Sequence, residues 1–280
     1  MSSLGDTGIW AAPTAILDFE TTGLSSTSGD RVVEVAILRL EGLDDPEPKR
    51  FSALINPGIP MPRRALEVHG IDDEMLKDAP LFAHVEDQVH RLLKGAVFVA
   101  HNTGFDLGFL SQECARLGLE PPPIDKIVDT LPMARQRFGF PQCGLGALAS
   151  RMSIPLTNHH RAMADVEATF GIYRTMLFDI DPDRTMSVDR LIAHVDGMRR
   201  GGEERRALKT RLSKAAASGD RIQIDYTHVA GPGALTTRRE ITVQSMRPPL
   251  VDAWCHLRDE PRIFRLDRIQ RAEPVASASK

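Results

Sequence analysis

Three short apolar runs crowd the start of the chain, at residues 15–20, 32–40 and 50–55, with connections short enough for antiparallel pairing. After residue 80 the period changes. Val85, Val89, Leu92 and Leu93 fall at helical spacing, residues 96–100 form a strand-length apolar run, and the pattern predicts a helix over about 103–117. A strand over 127–130 and helices over 131–138, 145–152 and 161–178 follow. Three strands first, then strands alternating with helices, describe an α/β unit: a mixed sheet flanked by helices. From 179 to about 218 the chain turns polar and helical. Beyond it lie short strands, at 222–226, 240–246, 253–258 and 262–269, with a turn at Gly231-Pro232-Gly233. The expected organisation is therefore an α/β domain over 1–178, a basic helical linker over 179–218 and a small β-module over 219–280.

Charge divides along the same lines. The net charge of −3 conceals 16 Lys and Arg against 24 Asp and Glu in residues 1–180, and 19 against 14 in residues 181–280. A basic C-terminal part suits a polyanion such as nucleic acid, whereas an acidic N-terminal part can meet one only if its carboxylates hold metal cations. The longest apolar stretches fall far short of the roughly 20 residues of a membrane span, and residues 1–13 carry neither a basic leader nor an apolar core, so a cytoplasmic protein is expected. Cys114, Cys143 and Cys255 are odd in number and widely spaced, which argues for reduced structural thiols rather than a disulfide framework or a zinc site.

Asp18 and Glu20 are two apart on a strand, so both carboxylates leave the same face while Leu17 and Phe19 leave the other. Like charges at that spacing either lie on a solvated face or share a hard cation such as Mg²⁺ or Mn²⁺. Asp106 lies in the first turn of a helix after the 96–100 strand, and Asp165 near the start of the helix that His160 opens. Each alone reads first as a helix-start acid placed by the helix dipole. Asp129 reads as a cap for the helix that starts near Leu131. Gly144-Leu-Gly-Ala-Leu-Ala149 has the form G-x-G-x-x-A, but no apolar strand precedes it, so it reads as a helix start rather than a dinucleotide loop.

Taken together, Asp18-Phe-Glu20-Thr-Thr-Gly, Asn102-x-x-x-Asp106 and His160-x-x-x-x-Asp165 resemble the three motifs of the DEDDh 3′→5′ exonucleases, with Val68-His69-Gly-Ile71 and Val128-Asp129-Thr130 as further points of likeness. The resemblance spans about residues 13–178. It implies an RNase H-like fold and hydrolysis of a phosphodiester by two divalent cations, Mg²⁺ or Mn²⁺, about 4 Å apart. By the same resemblance Asp18 bridges both ions, Glu20 and Asp165 complete the first site, and Asp106 supports the second partly through water. His160 is then the general base on the attacking water. The irregular backbone expected around His159 and His160 should point their rings apart, so that only one reaches the ions. The resemblance also assigns Thr21, Leu24, His69, Asn102 and Phe105 to the terminal nucleotide, although Phe105 reads equally as a core partner of Phe109.

Residues 219–274 resemble a WYL domain, a small β-barrel related to the Sm and SH3 folds, through Tyr226, Asp252-Ala-Trp254-Cys-His-Leu257-Arg258 and Arg262-Ile-Phe264-Arg265-Leu-Asp-Arg268-Ile269. The naming tyrosine is absent from Trp254-Cys255-His256-Leu257. Trp254 and Phe264 are expected in the barrel core. A bulge or strand end is expected near Asp267, because Phe264, Leu266 and Ile269 cannot share one strand face. Arg258, Arg262, Arg265 and Arg268 read either as a basic groove for nucleic acid or as a solvated face. The expected function is a metal-dependent 3′→5′ exonuclease on single-stranded nucleic acid, DNA more than RNA, that releases nucleoside monophosphates, with the WYL module binding nucleic acid or a regulatory ligand. The alternatives are a non-catalytic nucleic-acid-binding regulator and a polymerase-associated proofreading subunit.

Overall fold

A computed structural model of the chain describes residues 3–138, 143–157, 159–227 and 236–275. The turn expected at Gly231-Pro232-Gly233 lies outside them. The chain divides into two compact units, Met1–Arg199 and Arg200–Lys280.

The first unit is built on a five-stranded sheet. Strands β1 (Thr14–Thr21), β2 (Val32–Leu40) and β3 (Lys49–Leu54) form an antiparallel meander. Two short helices absent from the sequence expectation follow, α1 (Arg63–His69) and α2 (Asp73–Leu76). Then come α3 (Glu86–Leu93), β4 (Val97–Ala100), α4 (Thr103–Arg116), β5 (Ile127–Asp129), α5 (Thr130–Phe138), α6 (Leu145–Arg151) and α7 (Ala162–Ile180). The strand order is β3-β2-β1-β4-β5, with β4 parallel to both β1 and β5. Strand β1 is central and mostly buried, which is why it reads as a nearly continuous apolar run.

Alternation along β1 feeds two cores. Ala15, Leu17 and Phe19 pack with Val89 and Leu92 of α3 and with Phe109 and Leu110 of α4. Ile16 packs on the other side with Met133 of α5, Leu148 of α6, and Val166 and Tyr173 of α7. Strands β1 and β4 pair only as far as Ile16 and Val99. Beyond that point they part, and the N-termini of α4 and α7 converge on the gap at the carboxyl end of the parallel strands. In open α/β sheets ligands bind at that end.

Helix α8 (Val188–Ser218) covers most of the segment expected as a linker. Val188, Leu191 and Val195 belong to the first core. Leu208, Leu212 and Ala215 belong to the core of the second unit, whose five-stranded antiparallel sheet has the order β10-β6-β7-β8-β9. Its strands are β6 (Arg221–Thr227), β7 (Thr236–Arg247), β8 (Leu250–Cys255), β9 (Glu260–Arg265) and β10 (Ile269–Pro274). A 3₁₀ turn over Leu266–Arg268 ends β9, so the single strand expected over 262–269 is two, broken beside Asp267.

Phe264 is buried in this core as expected, but Trp254 is not. Val251, Ala253 and Cys255 are the buried side chains of β8, and strand alternation turns Asp252 and Trp254 to the opposite face. All three cysteines are free and buried. No described helix is long and apolar enough to cross a membrane.

Candidate active site

Asp18 and Glu20 leave β1 on the face that α7 covers, so Asp165 in the first turn of α7 meets them. Carboxylate oxygens of Asp18, Glu20 and Asp165 all lie within 4.8 Å of one another. Asp106 arrives from the other face of the sheet, on α4. Its Oδ1 accepts the Phe19 N–H at 3.2 Å, a donor that β4 no longer reaches. The four acids thus meet at the strand end from three elements.

Burial dominates their electrostatics. It raises the Asp18 carboxyl well above the ordinary carboxylate range, and Asp106, Asp165 and Glu20 add repulsion. Glu20 is pushed up to about 8 by burial and then by Asp165 and Glu34, against some relief from Arg161. Asp106 is also pushed up to about 8 by burial, despite the N–H bonds it accepts. Burial raises Asp165 too, while His159 and His160 oppose the shift. Such a set is costly as bare anions and suits a bound cation. Oxygen-only donors with some of their coordination left open fit Mg²⁺ or Mn²⁺.

His159 and His160 stand at the mouth of the site. His160 has φ 67°, and this left-handed residue folds the two rings onto each other, stacked at 3.7 Å and 19°. The rings therefore do not point apart as the sequence suggested. Nitrogens of both lie within 4.8 Å of an Asp165 oxygen, and His159 Nδ1 is 2.9 Å from Asp165 Oδ1. Burial, with His159 beside it, holds the His160 pKa below the usual imidazole value, so its neutral, proton-accepting form prevails at neutral pH.

A cavity of about 600 Å³ separates Asp18, Asp165 and the two histidines from His101 and residues Gly144–Ala147 at the start of α6. The glycine-rich segment is a helix start, as its sequence implied, and it walls the site. A Cβ on Gly146 would stand 3.0 Å from His159 Nε2, so a side chain there would press on the histidine pair.

Residues 15–173, more than half of the chain, match the family model described as Exonuclease. The chain belongs to the exonuclease family. Residues 207–274 of this exonuclease-family protein match the model of the WYL domain, so that match takes in the end of α8 as well as the sheet. A DNA polymerase III PolC-type protein of Bacillus cereus is 32% identical over 222 residues, 76% of this chain and 15% of that protein. The 3′-5′ exonuclease DinG of Bacillus subtilis is 35% identical over 163 residues, 58% of this chain and 17% of its own. The chain thus spans less than a fifth of the length of either relative. Among solved structures, the nuclease domain of 3′hExo, described as a DEDDh family member bound to rAMP, superposes with a TM-score of 0.53 at 19% identity. That superposition covers 61% of this chain and 94% of the other, and it shows the α/β, RNase H-like fold.

The residues expected around a terminal nucleotide are dispersed about this site. Thr21 ends β1, with its hydroxyl donating to the Gly23 carbonyl at 2.6 Å. Leu24 is 87% exposed on the following loop. His69 is buried, and its Nδ1 accepts the Ile71 N–H at 3.0 Å, which leaves Nε2 as the protonated nitrogen when the ring is neutral. Asn102 is left-handed at φ 77° and its backbone N–H donates to Asp129 Oδ1 at 2.9 Å. Asp129 also accepts from Leu131 N–H, so one carboxylate caps both α4 and α5. Phe105 is half-buried and stacks at a tilt on Phe109, with centroids 4.9 Å apart.

Two buried acids went unnoticed in the sequence. Glu34 faces Glu20 across β1 and β2; it binds both Arg161 Nε and Nη2 and accepts the Ala162 N–H that opens α7. Glu113 binds Arg31 in the same two-pronged way, takes a further bond from Arg116, and thereby ties the loop carrying Leu24 to α4. Their partners lie 127 and 82 residues away, and neither pair has a local sequence signature.

In the second unit the expected basic groove is divided. Arg258 lies in the turn between β8 and β9, and Arg268 in the 3₁₀ turn before β10. The two-residue period of β9 sends Arg262 and Arg265 to opposite faces, where they bond to Glu260 and Asp267.

Proposed function

We propose that this chain is a divalent-cation-dependent 3′→5′ exonuclease that shortens single-stranded nucleic acid, DNA in preference to RNA, and releases nucleoside monophosphates. The observation that carries this reading is the meeting of Asp18, Glu20 and Asp165 within 4.8 Å beside a histidine pair, at the wall of an open cavity. The preference for DNA rests on the relatives named DNA polymerase III PolC-type.

In this reading Asp18, Glu20 and Asp165, with Asp106 behind them, hold two Mg²⁺ or Mn²⁺ ions. The ions supply charge neutralisation of the phosphoryl oxygens and activation of water. The protein's own residues do the rest. His160, neutral at pH 7, takes the proton of the attacking water at a ring nitrogen. His159 holds Asp165 through Nδ1, and Arg161, pinned to Glu34, fixes the start of α7 and with it the histidine pair. Thr21, His69, Asn102 and Phe105 surround the terminal nucleotide, and Leu24 wedges beside its base.

The test uses 5′-labelled single-stranded DNA and RNA of one sequence, with Mg²⁺, Mn²⁺ or EDTA. A ladder that shortens from the 3′ end, requires metal and is lost in His160→Ala is expected, with DNA degraded faster. Strand binding with no cleavage in either metal would overturn the assignment and favour a regulator built on a nuclease fold.

A further inference from the structure

The positive charge of the second unit is not on its sheet. Residues 219–280 carry ten Lys and Arg against eight Asp and Glu, a net of +2, and the described arginines there are extensively paired. Arg221 bonds to Glu240, Arg238 to Asp225, Arg247 to Asp252, Arg262 to Glu260, Arg265 to Asp267 and Arg271 to Glu273. Residues 200–218, the part of α8 that belongs to this unit, carry six cations against two acids, a net of +4 in less than a third of the length. All six are exposed. Arg200, Arg205, Lys209 and Lys214 have no ion-pair partner among the described residues, and they are spread over about 20 Å of helix.

We propose that this stretch of α8, rather than the arginines of the β-module, is the surface on which the second unit binds the phosphate backbone of a single strand. The choice of polyanion rests on the exonuclease reading; the location of the surface does not. Unpaired, exposed cations can exchange condensed counterions for phosphates without first breaking a bond inside the protein, whereas six arginines of the β-module must give up their carboxylates. A basic helix could also meet an anionic lipid surface, but binding there needs an apolar face to insert. Here the apolar positions Leu208, Leu212 and Ala215 are already buried against the sheet.

The experiment compares two quadruple variants of the full chain, each lowering the positive charge by four. One carries Arg200→Gln, Arg205→Gln, Lys209→Gln and Lys214→Gln, and the other Arg258→Gln, Arg262→Gln, Arg265→Gln and Arg268→Gln. Glutamine keeps the helix propensity, and circular dichroism checks the fold of both. Binding of a labelled single strand of about 30 nucleotides is measured in EDTA by anisotropy over a range of KCl concentrations.

For the α8 variant, the slope of log Kd against log salt is expected to become shallower by about 2 to 3. Its Kd near 0.1 M salt should rise at least about tenfold. The sheet variant should change the slope by less than about 1. Hydrolysis of a substrate about three nucleotides long should be equal in the wild type and the α8 variant, since so short a strand does not reach beyond one binding unit. An unchanged slope in the α8 variant, or an equal loss in the sheet variant, would overturn the proposal, as would tighter binding of the wild type to phosphatidylserine vesicles than to the strand. If the wild type cleaves nothing while its binding still depends on α8, the exonuclease reading fails and this one stands.

Discussion

The two units of this chain handle charge in opposite ways. In residues 1–199 the like charges that stay together are acids, gathered at the buried end of a sheet. In residues 200–280 they are cations, strung along an exposed helix. Elsewhere in the described residues of both units many charges are paired, some of them in the core, as Glu113 is with Arg31 and Glu34 with Arg161. Net charge therefore misleads about each unit, and the state of pairing locates the surface that needs a partner from outside. For the acids the proposed partner is a cation; for the helix it is a polyanion.

The sharpest way to break the comparison is to remove one acid of each kind. Asp18→Asn should lower hydrolysis about a thousandfold or more, the several kcal/mol of transition-state stabilisation forfeited when metal ions are lost or misplaced. In EDTA the same variant should melt no lower than the wild type, because it relieves burial and repulsion of a charge. Glu113→Gln should do the reverse: it leaves Arg31 unpaired and costs about 3 kcal/mol in a denaturant titration. If both variants destabilise the metal-free protein equally, paired and unpaired acids are not different in kind.

Proton linkage sharpens the same contrast. Glu20 and Asp106 titrate near 8 in the folded chain, against ordinary carboxylate values when unfolded. A raised folded pKa means that the native state binds more protons between those values. Its stability is then fully present below about pH 4 and falls as pH rises through 8. Melting temperature in EDTA should therefore drop between about pH 5 and 8, and added Mg²⁺ or Mn²⁺ should restore more of it at pH 8 than at pH 5. A melting temperature that is flat or rising with pH in EDTA would count against an unneutralised cluster.

The smallest effect concerns Gly201 and Gly202, which sit inside α8 beside the division between the units, with nothing near a potential Cβ. Gly201→Ala and Gly202→Ala should each stabilise the helix by about 1 kcal/mol and leave hydrolysis of a very short substrate unchanged. A loss of stability would mean that the backbone there departs from helical geometry in solution.

Much of the first unit could be read from its sequence, because its strands and helices carry their own periods. Asp18 and Glu20 share a face by alternation alone, and the interval from His160 to Asp165 spans one helix start. What could not be read depends on contacts between distant segments. The stacking of His159 on His160 follows from one left-handed residue, which no period encodes. Helices α1 and α2 are seven and four residues long, too short to show a face. Residues 179–218 read as a linker because glycines and charges interrupt the apolar spacing, yet Leu208, Leu212 and Ala215 supply part of a core. Trp254 reads as a core residue, whereas the buried face of β8 is made by Val251, Ala253 and Cys255.

The central claim, that the clustered acids of β1, α4 and α7 hold divalent cations, is tested most directly by titrating Mn²⁺ into the nucleic-acid-free protein calorimetrically at pH 8. Saturable binding that is lost or greatly weakened in Asp18→Asn, with less binding at pH 5.5 where the acids retain their protons, is the predicted result. Equal Mn²⁺ binding by the wild type and Asp18→Asn, or none by either, would contradict it.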